Sequence, residues 1–226
     1  VLAAKRMGEI APPACAKMLW EEIVANTDEI YEMAEEARPF FETVLRKLCG
    51  SASVDPDAKM GVATVLRMDE LKDPVRVTEK ASEQYGGRFN DDVPAEACVE
   101  DVVRARLVFT KAESFVKMAS ALQNGFRSHT DDGVALGLEL IRGCNRFGHL
   151  DPTHFRHLVF NQCLHIMRAD GSRSRVFCEV ELHHLLILIH NEASEARKHY
   201  RSFGAHLKGN YEVTLSQDLD FVLERR

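Results

Sequence analysis

The sequence predicts an α+β protein in which a mixed, largely antiparallel sheet is flanked by helices and preceded by an N-terminal helical segment. Apolar residues recur at three- and four-residue steps through the first fifty positions, a spacing that indicates amphipathic helices. From about residue 60, short segments rich in β-branched residues alternate with helical patterns, as in a sheet covered by helices. We therefore predict a helical segment at 1–50, a mixed domain at 58–208 and a C-terminal strand or tail at 209–226.

The N-terminal segment carries an apolar stripe that includes Ile30, Met33 and Phe41. An amphipathic helix has to bury such a stripe, and we interpret it as core rather than as a ligand site. A protein partner that docks on the N-terminal helices stays open as a second interpretation. The small polar stretch at 50–59 contains a proline and predicts the boundary to the mixed domain.

The mixed domain is predicted to begin with a helix at 71–85, which two glycines end. Lys72, Arg76 and Lys80 are four residues apart and would stack on one face of this helix. Together with Arg142 and Arg146 they are candidates for a phosphate clamp, because arginine forks and lysine charges both bind phosphoryl oxygens. A charged face that is simply solvated is the alternative.

A buried strand is predicted at 99–109, where β-branched residues follow the acidic residues Glu100 and Asp101. The sequence TKAE at 110–113 is a capping box, so we expect a helix to begin there and to run to about residue 123. Alternation of leucines with smaller or polar residues predicts another strand at 134–140.

The last predicted elements are a hairpin and a helix. The strand-like segments 157–167 and 175–182 enclose an Ala-Asp-Gly turn at 169–171, which predicts an antiparallel pair. Apolar residues at helical spacing follow at 185–203.

Acidic side chains are the candidates for metal chemistry. Glu179 and Glu181 point to the same side of their predicted strand. If that face also carries Asp101, the carboxylates can hold Mg²⁺, which phosphoryl transfer requires. A solvated sheet face with surface acids is the alternative. Histidines cluster in the second half of the chain, but their spacing does not match a zinc site.

Composition restricts the function classes. The 226 residues carry a net charge of -6, which disfavours generic binding to nucleic acid or to an anionic membrane. No apolar run approaches the roughly 20 residues of a membrane span. The six cysteines form no CxxC pair, which indicates reduced thiols and a soluble, intracellular protein. Because the chain begins at Val1 rather than Met, the cytoplasm and an organelle lumen after import both fit.

The order of these motifs resembles the synthetase domain of RelA/SpoT-type proteins, in a divergent eukaryotic or stand-alone form. The motifs are KxxxRxxxK, YGG, DVVRARLVF, RGCNRF, HFRHLVFNQCL and CEVELH, and they extend over 71–203. The resemblance implies a nucleotidyltransferase-like mixed sheet. It also implies pyrophosphate transfer from ATP to the 3′ hydroxyl of GDP or GTP, with Mg²⁺, to make ppGpp or pppGpp.

The resemblance also implies roles for individual residues. Asp101 matches the aspartate that binds the metal, and Arg106 the arginine five residues on. Glu179 matches a glutamate that acts on the metal or on the attacking hydroxyl. Lys72, Arg76 and Lys80 correspond to the basic helix facing the ATP phosphates, and Phe155 occupies the position of a tyrosine that stacks on guanine.

Three departures from the family pattern weaken the implied nucleotide site. His154 stands where the family has glycine, Cys144 where it has lysine, and Glu181 where it has glutamine. Two hypotheses therefore remain. The chain is either a pyrophosphotransferase that uses Asp101 and Glu179, or a catalytically degenerate relative kept as a structural or protein-interaction module.

Overall fold

The computed structural model describes residues 27–51, 65–85, 95–148 and 156–193. Within these residues, four α-helices and a short 3-10 helix accompany six strands. In chain order the elements are α1 (Thr27–Ser51), β1 (Val65–Met68), α2 (Pro74–Tyr85), the 3-10 helix (Ala95–Cys98), β2 (Val103–Phe109), α3 (Ala112–Asn124), β3 (Phe126–His129), β4 (Ala135–Asn145), β5 (Leu158–Met167), β6 (Arg173–His184) and α4 (Leu185–Ala193).

The six strands form one sheet in the order β1-β2-β6-β5-β4-β3. Strands β2 and β6 run parallel to each other, and the other neighbouring strands pair antiparallel. Strands β2 and β6 are the second and third strands of the sheet and lie next to each other, although most of the domain separates them in sequence. The predicted α+β class with a mixed, largely antiparallel sheet is confirmed.

The sheet has one apolar face and one polar face. On β6, Cys178, Val180 and Leu182 are buried on the apolar face, and the alternate residues Glu179 and Glu181 lie on the other. Helices α1 and α3 bury their apolar stripes in the same core as the apolar face. The large side chains of this core are Phe41, Leu45, Leu107, Phe109, Met118, Leu122, Phe160, Leu164, Ile166 and Leu182.

A β-bulge in β4 decides which of its side chains reach the polar face. Before the bulge, Leu138 pairs with Leu164 on the apolar face, but after it Arg142 pairs with Asn161. The inserted residue reverses the inward and outward alternation of the strand. Arg142 consequently lies on the polar face, whereas an unbroken alternation from Leu138 would direct it into the core.

The predicted hairpin at the end of the domain is confirmed. Strands β5 and β6 pair antiparallel through ten positions, from Leu158 opposite Leu182 to Met167 opposite Arg173. Its turn is closed by a hydrogen bond in which the Arg168 backbone N–H donates to the Ser172 carbonyl oxygen at 2.9 Å. Gly171 has a φ of 85°, a left-handed conformation that glycine adopts without steric cost.

The predicted helix at 71–85 is wrong in its first turn, because α2 begins at Pro74. Asp73 caps it: the Val75 N–H donates to the Asp73 carboxylate at 2.9 Å, and proline is favoured at the first helical position. Lys72 therefore lies before the helix rather than on its face.

The predicted strand at 99–109 and the predicted capping box are also corrected. Strand β2 begins at Val103, so Glu100 and Asp101 lie in the turn between the 3-10 helix and the strand. Helix α3 has Lys111 at its N-cap, without a side-chain capping bond, so the TKAE sequence does not form its box. Strands β1 and β3 were not predicted, since four residues are too few for a clear alternation.

Helix α1 uses its apolar stripe within the chain. Ile30 and Phe41 are buried in the common core, whereas Met33 is half-buried. The helix also continues through Gly50, where the boundary stretch was predicted to begin. None of the described helices has the length and apolar character to cross a membrane. Residues 1–26, His154, Phe155, the predicted helix beyond Ala193 and the C-terminal segment 209–226 lie outside the described residues.

Candidate functional site

Two lysines hold Asp101 at the edge of the polar face. Lys72 Nζ lies 2.6 Å and Lys80 Nζ 3.0 Å from the same oxygen, Asp101 Oδ2. The backbone of Lys72 is fixed from both sides, because its N–H donates to the Val102 carbonyl and its own carbonyl accepts from the Tyr31 hydroxyl of α1. The core helix α1 therefore helps to position one of the two lysines.

The charge of Asp101 is stable at neutral pH. Burial alone would raise the pKa of this carboxyl, but the ammonium groups of Lys80 and Lys72 outweigh it and lower the pKa to about 2. Both lysines contact Oδ2, while Oδ1 is buried and has no hydrogen-bond partner in the part of the chain that the structure describes. This oxygen is an unmet acceptor.

Glu179 has the opposite tendency. Burial, followed by the negative charges of Asp101 and Glu181, raises its pKa to about 7. Its side chain keeps part of its surface exposed but is densely surrounded by protein atoms. Glu179 and Asp101 are thus two neighbouring carboxyl groups, one ionised and one close to half-protonated at neutral pH.

Glu181 is closed into a cluster on the same face. Nε of Arg106 donates to Glu181 Oε2 at 3.1 Å, and His183 Nε2 donates to the same oxygen at 3.1 Å. The ring of His183 stacks on His157, with centroids 5.1 Å apart. Burial would raise the pKa of Glu181, but the His183 hydrogen bond and the electrostatic interactions with His157, Arg106 and His183 hold it well below its usual range.

A third carboxylate borders Asp101. Glu100 is buried, and Arg142 Nη2 lies 3.0 Å from its Oε2, at ion-pair distance though not aligned as a hydrogen bond. The same guanidinium donates to Asn161 Oδ1 at 3.4 Å. Burial raises the pKa of Glu100 in spite of the Arg142 charge. Arg142 therefore connects β4 to the turn that carries Asp101.

Comparison with solved structures identifies the fold. The chain is similar to small alarmone synthetase 1 from Bacillus subtilis, with a TM-score of 0.52 over 77% of this chain and 79% of that chain at 11% identity. Small alarmone synthetase 2 from Bacillus subtilis gives a TM-score of 0.50 over 86% and 89% of the chains at 12% identity. The chain has the fold of the small alarmone synthetases. The predicted resemblance to RelA/SpoT-type proteins is confirmed for the fold.

Sequence comparison does not reach this relationship. No protein-family model matches the chain, and no curated protein sequence does. The similarity therefore rests on the arrangement of helices and strands rather than on residue identity.

On the synthetase fold, several of the predicted site residues are brought together. Lys72, Lys80 and Asp101 are in contact, and the charge of Asp101 acts on Glu179. Arg106 is paired with Glu181, two residues further along β6 than Glu179. Arg146 directly follows β4, and its backbone N–H donates to the His157 carbonyl at 3.1 Å.

Arg76 does not join this group. Its guanidinium pairs with Glu79 at 2.9 Å on the surface of α2, with 71% of the side chain exposed. Phe155, the predicted stacking residue, lies outside the described residues. The basic set predicted from one helix is thus divided between a buried pair of lysines and an exposed arginine.

Three polar residues of the face were not predicted as part of the site. His183 continues the alternation of Glu179 and Glu181, so period two was a signal that could have found it. The other two, His157 and Asn161, need the strand pairing, which no local pattern reveals. Arg142, which was predicted as part of the phosphate clamp, lies beside Glu100 and Asn161.

The residues on the synthetase fold fit a magnesium ion. The described residues contain no group of three or more His, Cys, Asp or Glu side chains arranged to hold a metal. Mg²⁺ in phosphoryl-transfer sites is typically held by one or two carboxylates together with substrate phosphates, so three protein ligands are not required. Asp101 Oδ1 is a buried acceptor without a partner, and Glu179 is the adjacent carboxyl group.

Proposed function

We propose that the chain is a Mg²⁺-dependent nucleotide pyrophosphotransferase that transfers pyrophosphate from ATP to the 3′ hydroxyl of GDP or GTP. The observation that carries this proposal is the pair Asp101 and Glu179, whose pKa values are driven apart on the polar face of a synthetase fold. Neighbouring titratable groups with divergent pKa values are typical of catalytic sites.

Asp101 is proposed as the metal ligand. Its carboxylate is ionised across the physiological range, and Oδ1 is the buried oxygen that the lysines do not contact. A bound Mg²⁺ supplies charge neutralisation for the phosphoryl oxygens. Glu179 in its ionised form is the second proposed ligand, so the two carboxylates define where the phosphates of ATP lie.

As the alternative to its role as second ligand, Glu179 is proposed to accept the proton of the attacking hydroxyl, with Asp101 holding the metal alone. A general base works best with a pKa near the operating pH, and the pKa of Glu179 is about 7. When its carboxylate takes the proton of the 3′ hydroxyl, the oxygen attacks the β-phosphorus of ATP. The bond from the β-phosphorus to the bridging oxygen of the α-phosphate breaks, and AMP leaves.

Cations around the site are proposed to bind the phosphates. Lys72 and Lys80 flank Asp101 and would share their charge with a triphosphate placed there. Arg106, Arg76, Arg146 and Phe155 remain proposed nucleotide contacts from the family resemblance. Arg76 would have to leave Glu79, a surface pair that costs little to break.

One observation favours the second candidate, a catalytically degenerate module. Glu181 occupies Arg106 and His183, so an internal carboxylate already neutralises a cation that the family resemblance assigns to nucleotide. In such a module the polar face would be held together by its own ion pairs and would need no ligand.

The deciding experiment is product formation with matched variants. The purified chain is incubated with Mg²⁺, ATP labelled in its β-phosphate, and GDP or GTP, and the nucleotides are separated. We expect a 3′-pyrophosphorylated guanine nucleotide and AMP in equal amounts, and loss of both in Asp101→Asn and Glu179→Gln. Glu139→Gln makes the same chemical change at an exposed carboxylate on β4 and serves as the control.

Two outcomes would contradict the proposal. Turnover that survives Asp101→Asn and Glu179→Gln would remove these residues from the reaction. Absence of product with either acceptor, together with absence of any Mg²⁺-dependent binding of ATP, would favour the degenerate module.

A further inference from the structure

Arg104 differs from the other cations of the polar face. Lys72 and Lys80 contact Asp101, and Arg106 contacts Glu181. Arg104 lies on β2 between Asp101 and Arg106, and the described residues give it neither a hydrogen-bond acceptor nor an ion-pair partner. Its Nε is buried without a hydrogen bond.

The carboxylates beside Arg104 do not serve it. In the sheet, its Cα is paired with that of Glu179 on β6, and its carbonyl accepts from the backbone N–H of Asp69 after β1. The Asp69 carboxylate lies 3.5 Å from Arg67 and 4.0 Å from Arg106. Neither a hydrogen bond nor an ion pair joins the Arg104 guanidinium to the Glu179 carboxyl in the described part of the chain.

An arginine in this state has an unmet demand for an anion. The guanidinium is charged at all physiological pH values, and a buried donor without an acceptor costs free energy. Its planar fork fits two oxygens of one phosphoryl group. The carboxyl on the neighbouring strand does not contact the guanidinium and does not take this place.

We propose that Arg104 binds a phosphoryl group of a polyphosphorylated nucleotide. This phosphoryl group would lie next to Glu179, near Asp101 and the start of β2. This subsite rests on the proposed function and adds a residue to it. The phosphoryl group belongs either to the donor triphosphate or to the acceptor diphosphate, and the arms of the experiment distinguish these sources.

The test measures binding to the full chain without turnover. Three probes are used with Mg²⁺ in titration calorimetry: a non-hydrolysable ATP analogue, GDP, and inorganic pyrophosphate. We expect Arg104→Gln to weaken at least one nucleotide by about 10- to 100-fold, the range for a charged hydrogen-bond pair. The nucleotide that is weakened identifies the source of the phosphoryl group.

The control and the second variant separate a local contact from a change in net charge. Arg67→Gln removes the same charge from the same face of the neighbouring strand β1, where 69% of the side chain is exposed. We expect it to change affinity by less than about twofold. Arg104→Lys keeps the charge but loses the fork, so its affinity should lie between wild type and Arg104→Gln.

Equal affinities of Arg104→Gln and Arg67→Gln for every probe would overturn the subsite and leave Arg104 as a counter-charge to the acidic residues. In that case a wild-type chain that still makes product retains the proposed function, so the two failures are distinguishable. A wild-type chain that binds none of the probes would overturn both. The melting temperature without ligand shows whether each variant is folded.

Discussion

Glu179 and Glu181 lie two residues apart on the same face of the same strand, yet they are in opposite electrostatic states. Glu181 accepts hydrogen bonds from Arg106 and His183, and its pKa is held well below the usual range. Glu179 has no such donor among the described residues, and burial, followed by the charges of Asp101 and Glu181, raises its pKa to about 7. One is a fixed anion that completes a cluster, and the other can exchange a proton near neutral pH.

The difference shows that the neighbouring strands, rather than residue type, assign the role of each carboxyl. Parallel pairing of β2 and β6 places Arg106 opposite Glu181 and Arg104 opposite Glu179. Only the first pair closes into an ion pair. The state of each glutamate therefore depends on which side chains the sheet supplies and on which of them are already engaged elsewhere.

The largest expected effect is a contrast in stability between two matched variants. Glu181→Gln removes the nearer of the two carboxylates that pair with the buried Arg106 guanidinium and should lower the free energy of unfolding by about 3 to 5 kcal/mol. Glu179→Gln removes a charge that the folded state disfavours and should leave stability unchanged or raise it at pH 8. Urea unfolding of both variants checks this contrast. Similar losses in the two would remove the distinction between the glutamates.

The pH dependence of stability should show the same division. The pKa of Glu179 is raised in the folded chain, so the folded state binds more protons than the unfolded state between about pH 4.5 and 7. Its contribution to stability is therefore lost as pH rises through this window, by about 3 kcal/mol. Glu181 has the opposite effect on the pH dependence of stability. Because its pKa is lowered in the folded chain, its contribution to stability is lost as pH falls below its unfolded pKa near 4.

Unfolding curves at pH 5, 6, 7 and 8 test this directly. The loss between pH 5 and 7 should shrink in Glu179→Gln and persist in the Glu139→Gln control. An unchanged slope in Glu179→Gln would mean that this carboxyl titrates normally.

A smaller effect is expected for one of the lysines on Asp101. Lys80→Gln removes one of the two charges that lower the pKa of Asp101, so that pKa should rise and stability at pH 7 should fall by about 1 to 2 kcal/mol. Lys117→Gln breaks an exposed pair with Glu113 and is the matched control. Equal melting temperatures for the two variants would show that the Asp101 contact contributes no more than a surface pair.

The smallest effect is expected at Arg76. Because its pair with Glu79 is exposed, Arg76→Gln should change the free energy of unfolding by less than about 0.5 kcal/mol. Thermal unfolding without nucleotide measures this. A loss comparable with that of Lys80→Gln would place Arg76 among the residues that hold the site together.

The sequence by itself determined the local features of this protein. Periodicity and turn chemistry predicted the hairpin of β5 and β6 and the shared face of Glu179 and Glu181. They also predicted the helix after Asp73, although its start was placed too early. These depend on residues close together in the chain, where side-chain direction follows from the helical or strand period. The order of motifs carried the family resemblance, which the fold confirms.

Tertiary structure alone decided how these pieces form a site. Arg106 and Glu181 are 75 positions apart and meet only because β2 and β6 run parallel. Arg142 reaches Glu100 only because a bulge in β4 reverses the alternation of that strand. Strand pairing and register arise from packing of the whole sheet on α1 and α3, so no local pattern of the sequence contains them.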